Sequence, residues 1–307
     1  PLCWNPANCI VFDPSEGIVG TEMKTAFHPL LAIVGVFLAG FCASSVAARE
    51  IAITLDDLPY VLPSRTTPSE GLAQIQAVND ALAAHDVVAT GFAVGEQIGW
   101  RSRPALNAFA DAGHTIGNHS WSHPDYGTIT AEQFREETRR TDEVLSNWIG
   151  TSRFYRFPFL REGETEAAKA AAEAILSELG YVNVPVTIDT DDWRHNAEYL
   201  DALDRGNDAA AAEIVAAYVA HIQERTEHFE VLAQEGLRRE VPHILLLHMN
   251  QINADHLGDI LGWYEAEGWA FITVEQALSD PFYQMPNRYA GPRGLSQIER
   301  VMGQPSE

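Results

Sequence analysis

Two histidines four positions apart, His119 and His123, lie in the stretch GHTIGNHSWSHPDY (113–126), bounded by Gly113, Gly117 and Pro124. That spacing suits two imidazoles on one metal ion. It also suits two ordinary loop histidines among the chain's eleven. Further ionisable residues follow other apolar runs. Asp56 and Asp57 come after IAITL. Arg156 ends RFYR, with Pro158 and Phe159 just beyond. DTDDW (189–193) follows VPVTI, and HILLLH ends in His248. Each piece alone is weak, since an Asp pair before a helix is commonly a cap and a strand-end histidine is often a satisfied core residue.

The elements that must carry these residues alternate. Strands are expected at 50–55, 87–94, 114–118, 153–157, 181–188, 243–248 and 270–274. Helices are expected at 69–84, 102–112, 130–147 with Thr130 as N-cap, 164–180 closed by Gly180, 207–237 and 254–267. The alternation means parallel strands with helical crossovers, in a barrel or a doubly wound sheet. In a β/α barrel the C-terminal strand ends build the active site. Five separate strands deliver polar or ionisable groups to that one rim, and this coincidence is the strongest signal in the chain. Residues 194–240 are long for one crossover and are expected to include a lid or an extra helix. The stretch after Asp280, rich in Pro, Tyr and Arg, has no assigned place.

Composition narrows the class. The 307 residues are 46% hydrophobic, enough for a sizeable core. Met23-Lys24, the apolar run LLAIVGVFLAGF (30–41) and the small residues of CASSVAA read as a secretory signal peptide over 23–48. The apolar run is shorter than the roughly 20 residues of a membrane span, so no stable anchor is expected after cleavage. Residues 1–22 read as translation upstream of Met23. A periplasmic or secreted product is therefore expected, with a catalytic domain over 49–280 and a tail over 281–307. Cys3, Cys9 and Cys42 all fall before residue 49, so a metal site must use His, Asp or Glu. The net charge of −23 argues against nucleic acid as a partner and favours a neutral or cationic substrate.

Taken in order, these segments resemble the polysaccharide deacetylase superfamily (carbohydrate esterase family four, the nodulation-protein-type deacetylase domain) over about residues 50–275. TLDDLP (54–59) is similar to its T-F-D-D-G motif, HSWSH (119–123) to H-S/T-x-x-H, RFPF (156–159) to R-x-P-Y/F, DTDDW to D-x-x-D-W, and LLH (246–248) to L-x-H. Leu55 replaces the family's aromatic residue and Leu58 its glycine. Leu58 is expected to alter the loop beside the metal.

The resemblance implies a distorted (β/α)7 barrel removing acetyl groups from N-acetylated carbohydrate. Asp57, His119 and His123 would hold a divalent ion, Zn²⁺ or alternatively Co²⁺ or Ni²⁺. Asp56 would be the general base, kept off the ion because adjacent strand side chains diverge, and Arg156 would hold it ionised. His248 would be the general acid, with Asp192 fixing its tautomer. The Phe159 N–H would help bind the oxyanion, Pro158 and Phe159 would contact substrate, and Trp193 would wall the acetyl methyl. His195, close behind Trp193, is a further cleft candidate. The alternatives are an O-acetyl esterase with the same site, a non-catalytic carbohydrate-binding relative and a cyclic-amide hydrolase.

Overall fold

The structure is a computed structural model describing residues 49–61 and 65–303. The signal peptide and upstream segment expected within 1–48 lie outside the described residues. Among the described residues, no helix is long and apolar enough to cross a membrane.

Strands β1 (Glu50–Leu58), β2 (Thr90–Ala93), β3 (Thr115–Asn118), β4 (Phe154–Tyr155), β5 (Val182–Asn183), β6 (Ile188–Asp189) and β7 (His243–His248) form one parallel sheet in the order β5-β4-β3-β2-β1-β7-β6. A short β8 (Ala270–Phe271) pairs with the start of β1. Helices α1 (Pro68–Ala84), α2 (Arg103–Asp111), α3 (Ala131–Leu145), α4 (Glu166–Glu178), α5 (Asp192–Asp204), α6 (Asp208–Leu237) and α7 (Gln251–Ala266) follow in chain order. This is the expected distorted (β/α)7 barrel. It is open between β5 and β6, the two ends of the hydrogen-bonded path.

Local chemistry explains most boundaries. Thr67 and Glu70 form a capping box on α1, and Thr130 and Gln133 form one on α3, each satisfying two otherwise orphaned N–H groups. Central β1 is buried along nearly its whole length, as a parallel strand covered on both faces must be. The single strand expected at 181–188 is two short ones. Val184 still donates to the Tyr155 carbonyl at 2.8 Å, and Pro185, next along, lacks the N–H a ladder needs. Residues 194–240 hold two packed helices in place of a lid. α5 begins at Asp192 itself, and the 30-residue α6 carries Tyr218, Ile222 and Phe229 into the main core.

Residues 281–303, set apart from the barrel on sequence grounds, pack into it. A 3-10 turn (Pro281–Gln284) buries Phe282, the Tyr283 hydroxyl donates to the Pro242 carbonyl at 2.8 Å, and α8 (Val274–Leu278) and α9 (Gln297–Met302) flank the segment. The Gln297 N–H donates to the carbonyl of Val186, on the segment that joins β5 to β6, at 2.7 Å.

Two core histidines predict acid sensitivity. Burial pushes His243 down to about 3 and His114 down to about 4, so the fold refuses protons that the unfolded chain accepts. The folded values lie below the unfolded one. Stability is therefore full above about pH 6.5 and falls as pH drops from there toward the folded values, by at most about 1.4 kcal/mol per pH unit for each histidine. His243→Asn is expected to flatten the fall of Tm between pH 6.5 and 4. An unchanged slope would contradict this.

Candidate active site

The C-terminal ends of β1, β3, β4, β6 and β7 meet at a cleft of about 460 Å³. Asp56, Asp57, His119, His123 and His248 all line it. β1 departs from regular geometry there. Its pairing register with β2 shifts between Leu55 and Leu58, and Asp57 adopts a left-handed φ of 63°. In a regular strand neighbouring side chains would point to opposite faces. Here the distortion brings both carboxylates to the same imidazole: Asp56 Oδ2 lies 3.6 Å and Asp57 Oδ1 3.7 Å from His119 Nε2. The expected divergence of Asp56 and Asp57 does not occur.

What separates the two aspartates is their other partners. Asp57 Oδ1 is also 3.5 Å from His123 Nε2, and the donor atoms of Asp57, His119 and His123 all lie within 4.8 Å of one another. Asp56 is held instead by Arg156, whose Nη1 donates to its Oδ1 at 3.1 Å. Arg156 is itself buried, with Nε donating to the Val184 carbonyl at 2.6 Å and Nη2 to Thr54 Oγ1 at 3.2 Å. Burial drives the Asp56 carboxyl up to about 6 against the pull of the Arg156 guanidinium.

The donor set fits a divalent cation. His119 Nδ1 donates to the Arg156 carbonyl at 2.9 Å, which leaves the Nε2 lone pair facing Asp57 and His123. Burial pushes His119 well below its ordinary value, and His123 is lowered too, so both stay neutral as ligands must be. The loop between them is built by short-range bonds. Asn118 Oδ1 accepts from the Ser120 N–H at 2.9 Å, and Ser120 Oγ accepts from the His123 N–H at 3.1 Å. Ser120 and His123 both have positive φ, 66° and 55°. Such strain persists where the surroundings over-determine it, and it gathers at functional sites.

A second hydrogen-bonded unit stands on β7 and α5. His248 Nδ1 meets Asp192 Oδ1 at 2.6 Å, while Asp192 Oδ2 accepts from the His248 N–H (2.8 Å), Asn250 Nδ2 (2.8 Å) and Asn253 Nδ2 (2.7 Å). Burial alone would lower the His248 imidazole. The charge and hydrogen bond of Asp192, with Asp57 and Asp56 behind them, outweigh it and raise His248 to about 10. Its proton is therefore in place at neutral pH.

Phe159 and Trp193 rise at the cleft, 55% and 56% exposed, and the Phe159 ring stands edge-on to His123 with centroids 4.7 Å apart. Pro158 is buried at the start of the turn and is not among the residues lining the cleft. His195 also faces elsewhere, packed on Tyr218 and His221 with centroids 5.3 Å apart. Sequence reasoning missed Leu246, Arg161, Asp189 and Gly294, all in the lining. Leu246 was findable, because it sits two residues before His248 on one strand and so shares its face.

A family model for polysaccharide deacetylase matches residues 43–184. Over that stretch, just under half of its length, the chain is similar to the polysaccharide deacetylase family. Among curated relatives, a peptidoglycan-N-acetylglucosamine deacetylase of Bacillus cereus is 30% identical over 146 residues, 47% of this chain and 46% of that protein. The chain thus spans about half the length of that relative. A deacetylase solved with its substrate superimposes with a TM-score of 0.50 and 21% identity, covering 76% of this chain and 92% of that one. A carbohydrate esterase family 4 pseudoenzyme from Bacillus anthracis gives 0.51 at 14% identity, covering 76% and 66%. Against the superfamily's first motif, Leu58 takes no part in the cleft. It is fully buried, with its methyls against Gly91, where any Cβ would collide with them. The expectation that Leu58 reshapes the metal-side loop is therefore not met by its side chain.

Proposed function

We propose that this chain is a divalent-metal-dependent deacetylase acting outside the cytoplasm on N-acetylated carbohydrate. The observation that carries the reading is the meeting, in one cleft, of the Asp57–His119–His123 set with two separately braced titratable groups, Asp56 on Arg156 and His248 on Asp192. Perturbed titratable groups gathered beside a candidate ligand set favour a catalytic role over a purely carbohydrate-binding one.

Asp57, His119 and His123 are the proposed ligands, and Zn²⁺, with Co²⁺ or Ni²⁺ as alternatives, suits two nitrogens and one oxygen. A cation bound there lowers the pKa of water and polarises the acetyl carbonyl. Asp56 takes the proton of the attacking water, and Arg156 keeps the carboxylate oriented for it. The Phe159 N–H donates to the oxyanion. His248 gives its proton to the departing amine, and Asp192 holds the ring on its Nδ1 side while the charge changes. Trp193 and Leu246 provide apolar walls for the acetyl methyl.

The test is acetate release from a panel of N-acetylated and O-acetylated glycans, with and without chelator. Release from N-acetylated members that stops with chelator and returns with added Zn²⁺ is expected. Release confined to O-acetylated members would make the chain an esterase, and no release from any member would overturn the reading.

A further inference from the structure

The turn that carries Phe159 has two consecutive residues in the left-handed region, Phe159 at φ 55° and Leu160 at φ 54°. Neither is glycine, and each such residue is strained. Within the turn, only two backbone bonds support it: Leu160 N–H to the Phe157 carbonyl at 3.0 Å and Arg161 N–H to the Pro158 carbonyl at 3.2 Å. These leave the carbonyls of Phe159 and Leu160 pointing out of the turn, toward the segment around residue 294.

That segment meets both. Gly294 lies so close to the Phe159 carbonyl oxygen that a Cβ there would overlap it, and Gly294 itself lines the cleft. Arg300, 2% exposed, donates from Nη2 to the Leu160 carbonyl and from Nε to the Leu295 carbonyl at 3.1 Å. Its charge is met by Glu162, with Oε1 at 3.5 Å from Nε. Glu162 is in turn fixed by Asn183 (3.1 Å) and Asn287 (2.8 Å). A buried guanidinium is costly unless paired and hydrogen-bonded, and this one spends its donors on the backbone of one strained turn and of its own segment.

We propose that the segment 285–303 is a working part of the cleft, with Arg300 a positioning residue that holds the Phe159–Leu160 turn and Gly294 the close-packed backing that turn requires. This rests on the deacetylase reading, in which the Phe159 N–H faces the reacting carbonyl. Lys169 anchors the same segment at a different place, its ammonium donating to the Asn287 carbonyl at 2.9 Å and the Tyr289 carbonyl at 3.3 Å rather than to the turn. It is the natural comparison, because it separates loosening the segment from releasing the turn.

The experiment compares the full chain with Arg300→Met, Arg300→Lys, Gly294→Ala and Lys169→Met. The readouts are amide hydrogen exchange, metal content, Tm, and kcat and KM on the acetylated substrate that the wild type turns over. In Arg300→Met, exchange in the peptide spanning 157–163 is expected to quicken about tenfold or more, the size of losing a buried charge-assisted hydrogen bond. Exchange in β1 and β7 and the metal content should stay as in the wild type. kcat should fall about 10²-fold, as small misplacements near a reacting centre can cause, with KM changed far less. Arg300→Lys should recover part of kcat. Lys169→Met should lower Tm without that loss of kcat. Gly294→Ala, a single methyl, keeps the question open to measurement if Arg300→Met does not fold, and should show the same quickening and loss. Wild-type exchange in 157–163 for a folded Arg300→Met or Gly294→Ala would overturn the proposal, as would a kcat loss in Lys169→Met equal to that of Arg300→Met. A wild type that releases no acetate would sink the deacetylase reading alone, since the exchange comparison would still decide whether Arg300 holds the turn.

Discussion

His119→Ala is expected to remove metal and acetate release together. The ring is buried, its Nδ1 is committed to the Arg156 carbonyl, and its Nε2 lies 3.6 Å from Asp56 and 3.7 Å from Asp57. Alanine removes one of the two imidazole donors of the ligand set. His123→Ala should behave alike, because its Nε2 sits 3.5 Å from the same Asp57 oxygen. Elemental analysis of the purified variants is the direct measurement. Losing one of three protein ligands should lower affinity well beyond the roughly 10–100-fold typical of losing a supporting hydrogen bond to a ligand. Full occupancy in the double variant would refute the assignment. Asp57→Asn belongs with this group, since a neutral amide is a poorer donor to a divalent cation than a carboxylate.

The second large effect separates proton removal from proton delivery. Asp56→Asn should keep the ion, since the donor set that meets at one point contains Asp57 and not Asp56. It should lose about 10²–10⁴-fold in rate, the usual worth of one general base. His248→Ala should also keep the ion, but its cost should depend on the leaving group. An amine must be protonated to depart, whereas an activated aryl acetate releases a stable phenolate. The aryl ester should be partly spared in His248→Ala and not in Asp56→Asn. Because Asp56 lies only 3.6 Å from His119, metal content must be measured beside the rates. If Asp56→Asn loses the ion while Asp57→Asn keeps it, the roles are exchanged. Equal slowing of both substrates in His248→Ala would end its role as the acid.

The sequence reveals this site unevenly, for physical reasons. Residues at strand ends were legible because a parallel β/α barrel fixes where strand ends go. Asp57, His119, His123, Asp56 and His248 accordingly line one cleft. Only the divergence of Asp56 and Asp57 fails, because strand alternation does not extend past the point where β1 breaks its register. The split at Pro185 was visible in the residues but overridden by the apolar run around it. α5 was lost because Asp192-Trp193 reads as a motif, and the motif hid a helix start. Gly294 and Arg300 had no signal at all. Their work depends on contacts with residues 159–162, which are more than a hundred positions earlier and leave no local periodicity.

That separation in sequence has a consequence for the order of assembly. The hydrogen bond from Arg300 to the Leu160 carbonyl spans 140 residues. Contacts between β1 and α1 or β2 can form while the chain is still emerging, since they join near neighbours. The turn under Phe159 cannot settle until synthesis has passed residue 300. A chain emerging from the ribosome or a translocation channel can therefore have its sheet and its ligand histidines in place while the cleft is still slack. Maturation of the site is a late event, governed by closure of the 140-residue loop between Leu160 and Arg300.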